Sequence, residues 1–307
     1  MEMLAADLAP LEAVAGLADH YDRVTIEALA EAEDRLGAPP APYAWLTLGS
    51  HARREPSLAS DQDNALVLAT DDSEAKAYGE KLAAHVVDRL HEAGLRRCDG
   101  DYMATTWSYS LGEWESILRR RFIDPKPEDF LDADVFLDLR PLAGDLDVSS
   151  LQQIMVSAAG SARLMQGLAA SAVKYPSGLG AFGRLRLSDG KIDLKKGGLA
   201  PLTMLARTYG LAAGSTAVGT RDRLAAAEAA EALSPRAVGR LGMAHALLTR
   251  LRMTNQLRSA RAGEPVTDLV PPDRIRWVDE RLLRQSLEAI REVQQATALR
   301  FRTDMQN

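Results

Sequence analysis

Six residues, Tyr43-Ala44-Trp45-Leu46-Thr47-Leu48, closed in by Pro42 and Gly49, constrain this chain more than any other stretch. The run is too short for a helix and too apolar for a loop, which predicts a buried strand. A second run at 64–69 has the same character, and the 15 residues between the two, 49–63, are a polar turn. Residues 73–93 repeat their apolar positions at helical spacing and close at Gly94, a helix stop. Ahead of the first strand, 8–36 reads as a helix or helix pair ended by Gly37, Pro39 and Pro40. Residues 111–122 read as a helix broken by Pro125 and Pro127, and Val135-Phe136-Leu137-Asp138-Leu139 as a further buried strand ended by Pro141. Strands thus alternate with helices through the first half.

The second half is different. Residues 149–173 continue the helical pattern, and Tyr175-Pro176-Ser177-Gly178 with Gly180 and Gly183 reads as a linker. The expected domains are 1–173 and 174–307. Just past the linker, 184–187 and 191–194 alternate polar and apolar residues around Asp189-Gly190, a hairpin signal. The remainder is helical: Ser234-Pro235 opens a long amphipathic stretch to Ala262, stopped by Gly263, and a last helix covers 273–302. A length of 307 residues suits two cores.

Charge and cysteine content narrow the function. A net charge of -6 lacks the electrostatic excess that drives binding to a polyanion, so nucleic acid is a disfavoured partner. Cys98 is the sole cysteine, which rules out an internal disulfide and a cysteine-based zinc site within one chain. The first residues lack the basic-then-apolar order of a signal peptide and no apolar run approaches the roughly 18 residues of a membrane span, so the expected setting is the cytoplasm, with no membrane partner.

The chemistry is concentrated in the polar turn, Gly49-Ser50-His51-Ala52-Arg53-Arg54-Glu55 and then Ser60-Asp61-Gln62-Asp63-Asn64. Gly49 lets backbone approach a phosphate, Ser50 offers a hydroxyl, and the turn after them aims N–H groups at an anion. Asp61 and Asp63, two apart at the start of a strand, place both carboxylates on one face, where they repel each other unless a cation lies between them. Hard oxygen ligands favour Mg²⁺ or Mn²⁺ holding a nucleoside triphosphate (NTP). The plain alternative is a solvated turn, the usual fate of a lone Gly-Ser or Asp-x-Asp. Of Arg53 and Arg54, one is expected to face phosphate and the other to form a surface ion pair. His51 is expected to face solvent, Asp99 and Asp101 to form a turn, and the four tryptophans to lie in the core.

Gly49-Ser50-x-x-Arg53 with Asp61-x-Asp63 resembles the signature of the polymerase-beta-type nucleotidyltransferases. More narrowly, the stretch 49–68 is similar to nucleotidyltransferases found behind cyclic-nucleotide-binding and CBS domains, relatives of the uridylyltransferase that modifies the PII signalling protein. The likeness extends through 107–114, 136–145 and 193–198 into the C-terminal helices. It implies an α/β nucleotidyltransferase fold, a mixed sheet with flanking helices, followed by a mainly helical domain. It also implies a third carboxylate on a later strand, for which Asp138 stands in position. Asp61, Asp63 and Asp138 would then be the metal-binding and catalytic set, with Asp138 accepting the proton of the attacking group. A structural ion pair with an arginine is the competing role for Asp138.

A second stretch, Asp193-Leu194-Lys195-Lys196-Gly197-Gly198-Leu199, is similar to the Lys and Gly-Gly-Leu segment that follows the catalytic domain in the PII-modifying and glutamine-synthetase-modifying transferases. Here Ala200-Pro201 replaces the usual Arg-Asp, and Ala52 stands where glycine is common. Lys195, Lys196, Gly197 and Gly198 are the candidate phosphate clamp, the alternative being a solvated basic turn. The implied reaction is transfer of a nucleoside monophosphate from ATP or UTP to an acceptor hydroxyl, with a protein as the acceptor class. The rival expectation is a nucleotide-binding regulatory protein of the same fold without turnover. The regulatory domains of such relatives are not among these residues, so the chain is either a stand-alone form or a piece of a longer protein.

Overall fold

A computed structural model describes residues 10–123, 125 and 135–303. Residues 8 and 9 of the expected first helix, and Pro127, lie outside the described residues. The described residues divide into two compact units, one within 14–158 and the other within 159–303, the second also taking 10–13.

In the first unit the expected run becomes strand β1 (Tyr43–Leu48), buried at every position. It is followed by the four-residue helix α2 (Gly49–Ala52), preceded by helix α1 (Pro10–Leu36). Strand β2 (Asp61–Gln62) and strand β3 (Asn64–Leu68) come next, then helix α3 (Ser73–Glu92), strand β4 (Arg96–Arg97), strand β5 (Ser108–Ser110) and helix α4 (Leu111–Phe122). Strand β6 (Leu139–Ala143) and the helix Ser149–Ser157 complete the unit.

The main sheet has the order β5-β3-β1-β6 and is mixed. Strand β1 pairs antiparallel with β3, Tyr43 opposite Leu68 and Thr47 opposite Asn64, and antiparallel with β6, whereas β3 and β5 run parallel. Because β1 and β3 are buried throughout, both faces of the sheet are covered, which explains why neither run alternates polar with apolar residues. Ala28, Leu29 and Ala32 of α1 and Leu82, Val86 and Leu90 of α3 pack in one cluster with Trp45, Leu66 and Leu68. Helix α4 begins at a capping box between Ser110 and Glu113, and its Trp114 donates to the Leu66 carbonyl at 3.0 Å.

Three sequence expectations are corrected. The strand expected at 135–139 starts only at Leu139 and continues through Pro141 to Ala143. It is an edge strand, where a proline without an N–H is tolerated, and its register slips opposite Trp45 and Leu46. The helix expected over 149–173 is two helices, Ser149–Ser157 and Ala162–Lys174, the second capped by Ser161, which accepts from the Leu164 N–H at 3.3 Å. The chain passes from one compact unit to the other at this break, with Ala172 packed in the core of the second unit and Gln294 donating to the Ala172 and Tyr175 carbonyls at 2.7 Å. The hairpin expected over 184–194 keeps its turn, with Ser188 and Lys191 bonded to each other, but not its ladder. Strand β7 (Ile192–Asp193) pairs instead with β8 (Leu269–Val270), which buries Ile192 while Leu187 stays more than half exposed.

The second unit is otherwise helical, its core drawn chiefly from the helices Ala162–Lys174, Ala200–Ala212, Pro235–Arg261 and Trp277–Phe301. Among the described residues, no helix is long and apolar enough to cross a membrane.

Candidate active site

The site lies at the C-terminal end of β1, where both neighbouring strand segments deliver an aspartate. The Leu48 N–H donates to the Asp63 carbonyl at 2.9 Å, and the Gly49 N–H donates to the Asp138 carbonyl at 3.0 Å. Gly49 has φ +56°, and a Cβ built there would lie 2.9 Å from Asp63 Oδ2, so a side chain at 49 would occupy the space of that carboxylate. Glycine is therefore required at this position on two counts.

Burial alternates from 61 to 64. Gln62 and Asn64 are buried and bonded to each other at 3.3 Å, with Gln62 also donating to the Val87 carbonyl, whereas Asp61 and Asp63 are each partly exposed. Arg96 of β4 reaches Asp61 at 2.7 Å, and the Cys98 thiol hydrogen-bonds Asp63. Burial first, and the Asp63 charge second, push the Cys98 thiol up to about 11, so it stays protonated and donates.

Asp138 stands in a bend just before β6, fully buried, where Arg53 donates to its carboxylate. Arg53 also pairs with Glu55 at 2.9 Å. Burial works against the guanidinium's charge, but Asp138 and then Glu55 outweigh it and raise its pKa above the ordinary arginine value. Arg54 takes the surface role, paired with Asp19 and, at 2.8 Å, with Asp22 of α1.

His51 departs from expectation: it is 6% exposed, not solvent-facing. Its ring lies 5.1 Å from that of Tyr21, its Nε2 is 3.1 Å from the Asp61 carbonyl oxygen, and burial lowers its pKa to about 4. A signal was present in the sequence: with Ser50 and Arg53 turned to the site, the helical period of so short a turn leaves His51 and Ala52 as the inward pair, and both are buried. Ser50 sits in a hydroxyl group with Ser60 at 3.4 Å, and Ser57 joins it through Ser60.

The second candidate motif, Lys195 to Gly198, lies in the other unit as a single π-helical turn, Lys195–Leu199. Lys195 and Lys196 are exposed, Lys195 lying 4.0 Å from Asp268 and Lys196 taking a bond from its own N–H to Asp193. The glycines are packed: a Cβ on Gly197 would lie 3.0 Å from the Gly178 backbone, and one on Gly198 would lie 2.8 Å from Leu248.

The carboxylate pair fits a hard divalent cation. Asp61 and Asp63 are partly exposed oxygen donors two residues apart, with the Asp63 carboxylate lying in the space that glycine leaves at 49. The third expected ligand, Asp138, is turned to Arg53, and among the described residues no group of three or more His, Cys, Asp or Glu side chains gathers into a metal cage.

Two family models match the chain. Residues 1–128 match the family model described as "Putative nucleotidyltransferase DUF294", and residues 162–301 match that described as "Putative nucleotidyltransferase substrate binding domain". No curated protein matches the chain. With the Gly49–Asp63 site inside the first match and the helical unit forming the second, the chain belongs to this nucleotidyltransferase family.

Proposed function

We propose that the chain transfers a nucleoside monophosphate from an NTP to an acceptor hydroxyl, releasing pyrophosphate, with Asp61 and Asp63 holding a divalent cation. The observation that carries this reading is the close approach of the Asp63 carboxylate to the positive-φ Gly49, with the partly exposed Asp61 two residues before it. The triphosphate rests on the Gly49-Ser50 turn, where glycine leaves room and Ser50 Oγ donates. Mg²⁺ or Mn²⁺ bound by the two carboxylates supplies charge neutralisation at the phosphoryl oxygens. The acceptor oxygen attacks the α-phosphorus in line as the bond to pyrophosphate breaks.

Asp138 is the base for the acceptor's proton. To take it, the carboxylate must part from Arg53, and an incoming triphosphate is an anion able to draw that guanidinium away. The resemblance to the PII-modifying transferases makes a protein side chain the acceptor class. Lys195 and Lys196 belong to the unit whose family description is substrate binding, which suits a role toward the acceptor or the outgoing phosphates.

A second reading, nucleotide binding without turnover, is favoured by one observation: Asp138 is already neutralised by a buried arginine. One experiment separates the two. Each labelled NTP is incubated with Mg²⁺ or Mn²⁺ and lysate, comparing the native chain with the Asp61→Ala/Asp63→Ala variant. Metal-dependent label transfer that disappears in the variant supports the transferase. Tight NTP binding with no pyrophosphate released under any acceptor condition replaces it with the second reading.

A further inference from the structure

The buried histidine in the glycine-serine turn is unused by the chemistry above, yet its side chain bonds directly to the backbone of the carboxylate loop. His51 is contributed by α2, and its Nε2 lies 3.1 Å from the main-chain oxygen of Asp61. A carbonyl oxygen only accepts, so Nε2 carries the hydrogen and the ring is the donor. The ring is backed by Tyr21 of α1, 5.1 Å away. The carbonyl of His51 itself accepts from Arg140 at 3.3 Å, and Arg140 pairs with Asp22 of α1 at 2.7 Å. The histidine is thus held from behind and from its own backbone, and its free end grips the peptide of the first carboxylate.

We infer that His51 is a positioning residue that sets the distance between the Gly49-Ser50 turn and the Asp61 carboxylate, and so the divalent-cation affinity of the site. The inference rests on the proposed function, in which Asp61 is a metal ligand. The side chain of Asp61 is about a third exposed, and its ion pair with the largely exposed Arg96 is a contact that solvent weakens. The bond from the buried His51 ring is less open to solvent than that ion pair. Strand β2 itself is two residues long and pairs only with the equally short β4.

The test is Mn²⁺ binding to the full chain, by electron paramagnetic resonance, in the wild type, His51→Gln and His51→Met. Gln keeps an N–H donor on a chain of similar reach, and Met fills similar space without one. The Met variant is expected to bind Mn²⁺ about tenfold more weakly, as loss of a partner behind a ligand commonly does, while Gln recovers most of the affinity and metal-free NTP binding is unchanged in both. Wild-type affinity in a folded Met variant, or equal loss in both variants, overturns the inference. A wild type that binds no Mn²⁺ overturns the metal reading of the proposed function instead. Nitrogen-15 shifts of His51 in the wild type provide a check that does not depend on any variant folding: the Nε2–H tautomer is expected, and the Nδ1–H tautomer overturns the inference.

Discussion

The two glycine motifs of this chain look alike in sequence and differ in what occupies the space each glycine leaves. At Gly49 the neighbour is a carboxylate, Asp63 Oδ2, at 2.9 Å from a built Cβ, and the backbone is left-handed. At Gly197 and Gly198 the neighbours are the Gly178 backbone and the Leu248 side chain, and neither glycine has a positive φ. The first is shaped around a charged carboxylate, and the second around packing. A Gly-rich stretch beside lysines therefore does not by itself mark a phosphate cradle; the identity of the atoms facing the missing side chain decides.

The strongest way to break this contrast is at Arg53. If the first motif is organised around charge, Arg53→Met leaves the buried Asp138 carboxylate without its guanidinium and is expected to cost about 3–5 kcal/mol in urea unfolding, with Asp138→Asn added to it recovering most of the loss. A cost below ~1 kcal/mol would mean that the pair is not organising the site.

Acid should reveal the same region next. The folded pKa of His51, about 4, is below its ordinary 6.5, so protonation favours the unfolded chain. The associated stability is complete above pH 6.5 and is lost as pH falls toward 4, about 3 kcal/mol in all and about 2 kcal/mol of it between pH 7 and 5. Unfolding free energies of the wild type and His51→Gln at both pH values isolate this contribution; parallel pH profiles would place the histidine in water.

How far the sequence carries depends on whether an element answers to its own residues or to distant ones. Strand β1, helix α3 and helix α4 fall where run length, Gly94 and the helical pattern over 111–122 place them, since each signal is local. The alternation of burial from Asp61 to Asn64 likewise follows a period of two. By contrast, Arg53 and Asp138 are 85 residues apart, and whether that aspartate faces a cation or a metal is set by the fold. Ile192 likewise chose a partner near 270 over its own hairpin, because burial outweighed the turn signal. His51 was misjudged for a related reason: nothing near it in sequence announces Tyr21, 30 residues earlier, which covers its ring.

The packing motif supplies the third comparison. Gly197→Ala drives a Cβ to 3.0 Å from backbone, which cannot swing aside as a side chain can, so a loss of about 1–3 kcal/mol in thermal or urea unfolding is expected. Binding of Mn²⁺ and NTP should be unaffected. A folded Gly197→Ala chain that loses nucleotide affinity would instead return this stretch to the phosphate-clamp role.

Gly49→Ala should have the smallest effect on stability and the most selective effect on the site. The left-handed φ costs an alanine about 1–2 kcal/mol, and the obstructing atom is the end of a movable side chain, so Asp63 can turn away and the fold survives. Turning away is the consequence that matters, because Asp63 then no longer shares its position with Asp61. Calorimetric titration of the folded variant is expected to give Mn²⁺ affinity reduced on the order of tenfold or more, out of proportion to the stability lost. The same ratio of effects at Gly197 and Gly49 would erase the distinction between the two motifs, because a glycine needed only for packing has no means of weakening a metal more than it weakens the fold.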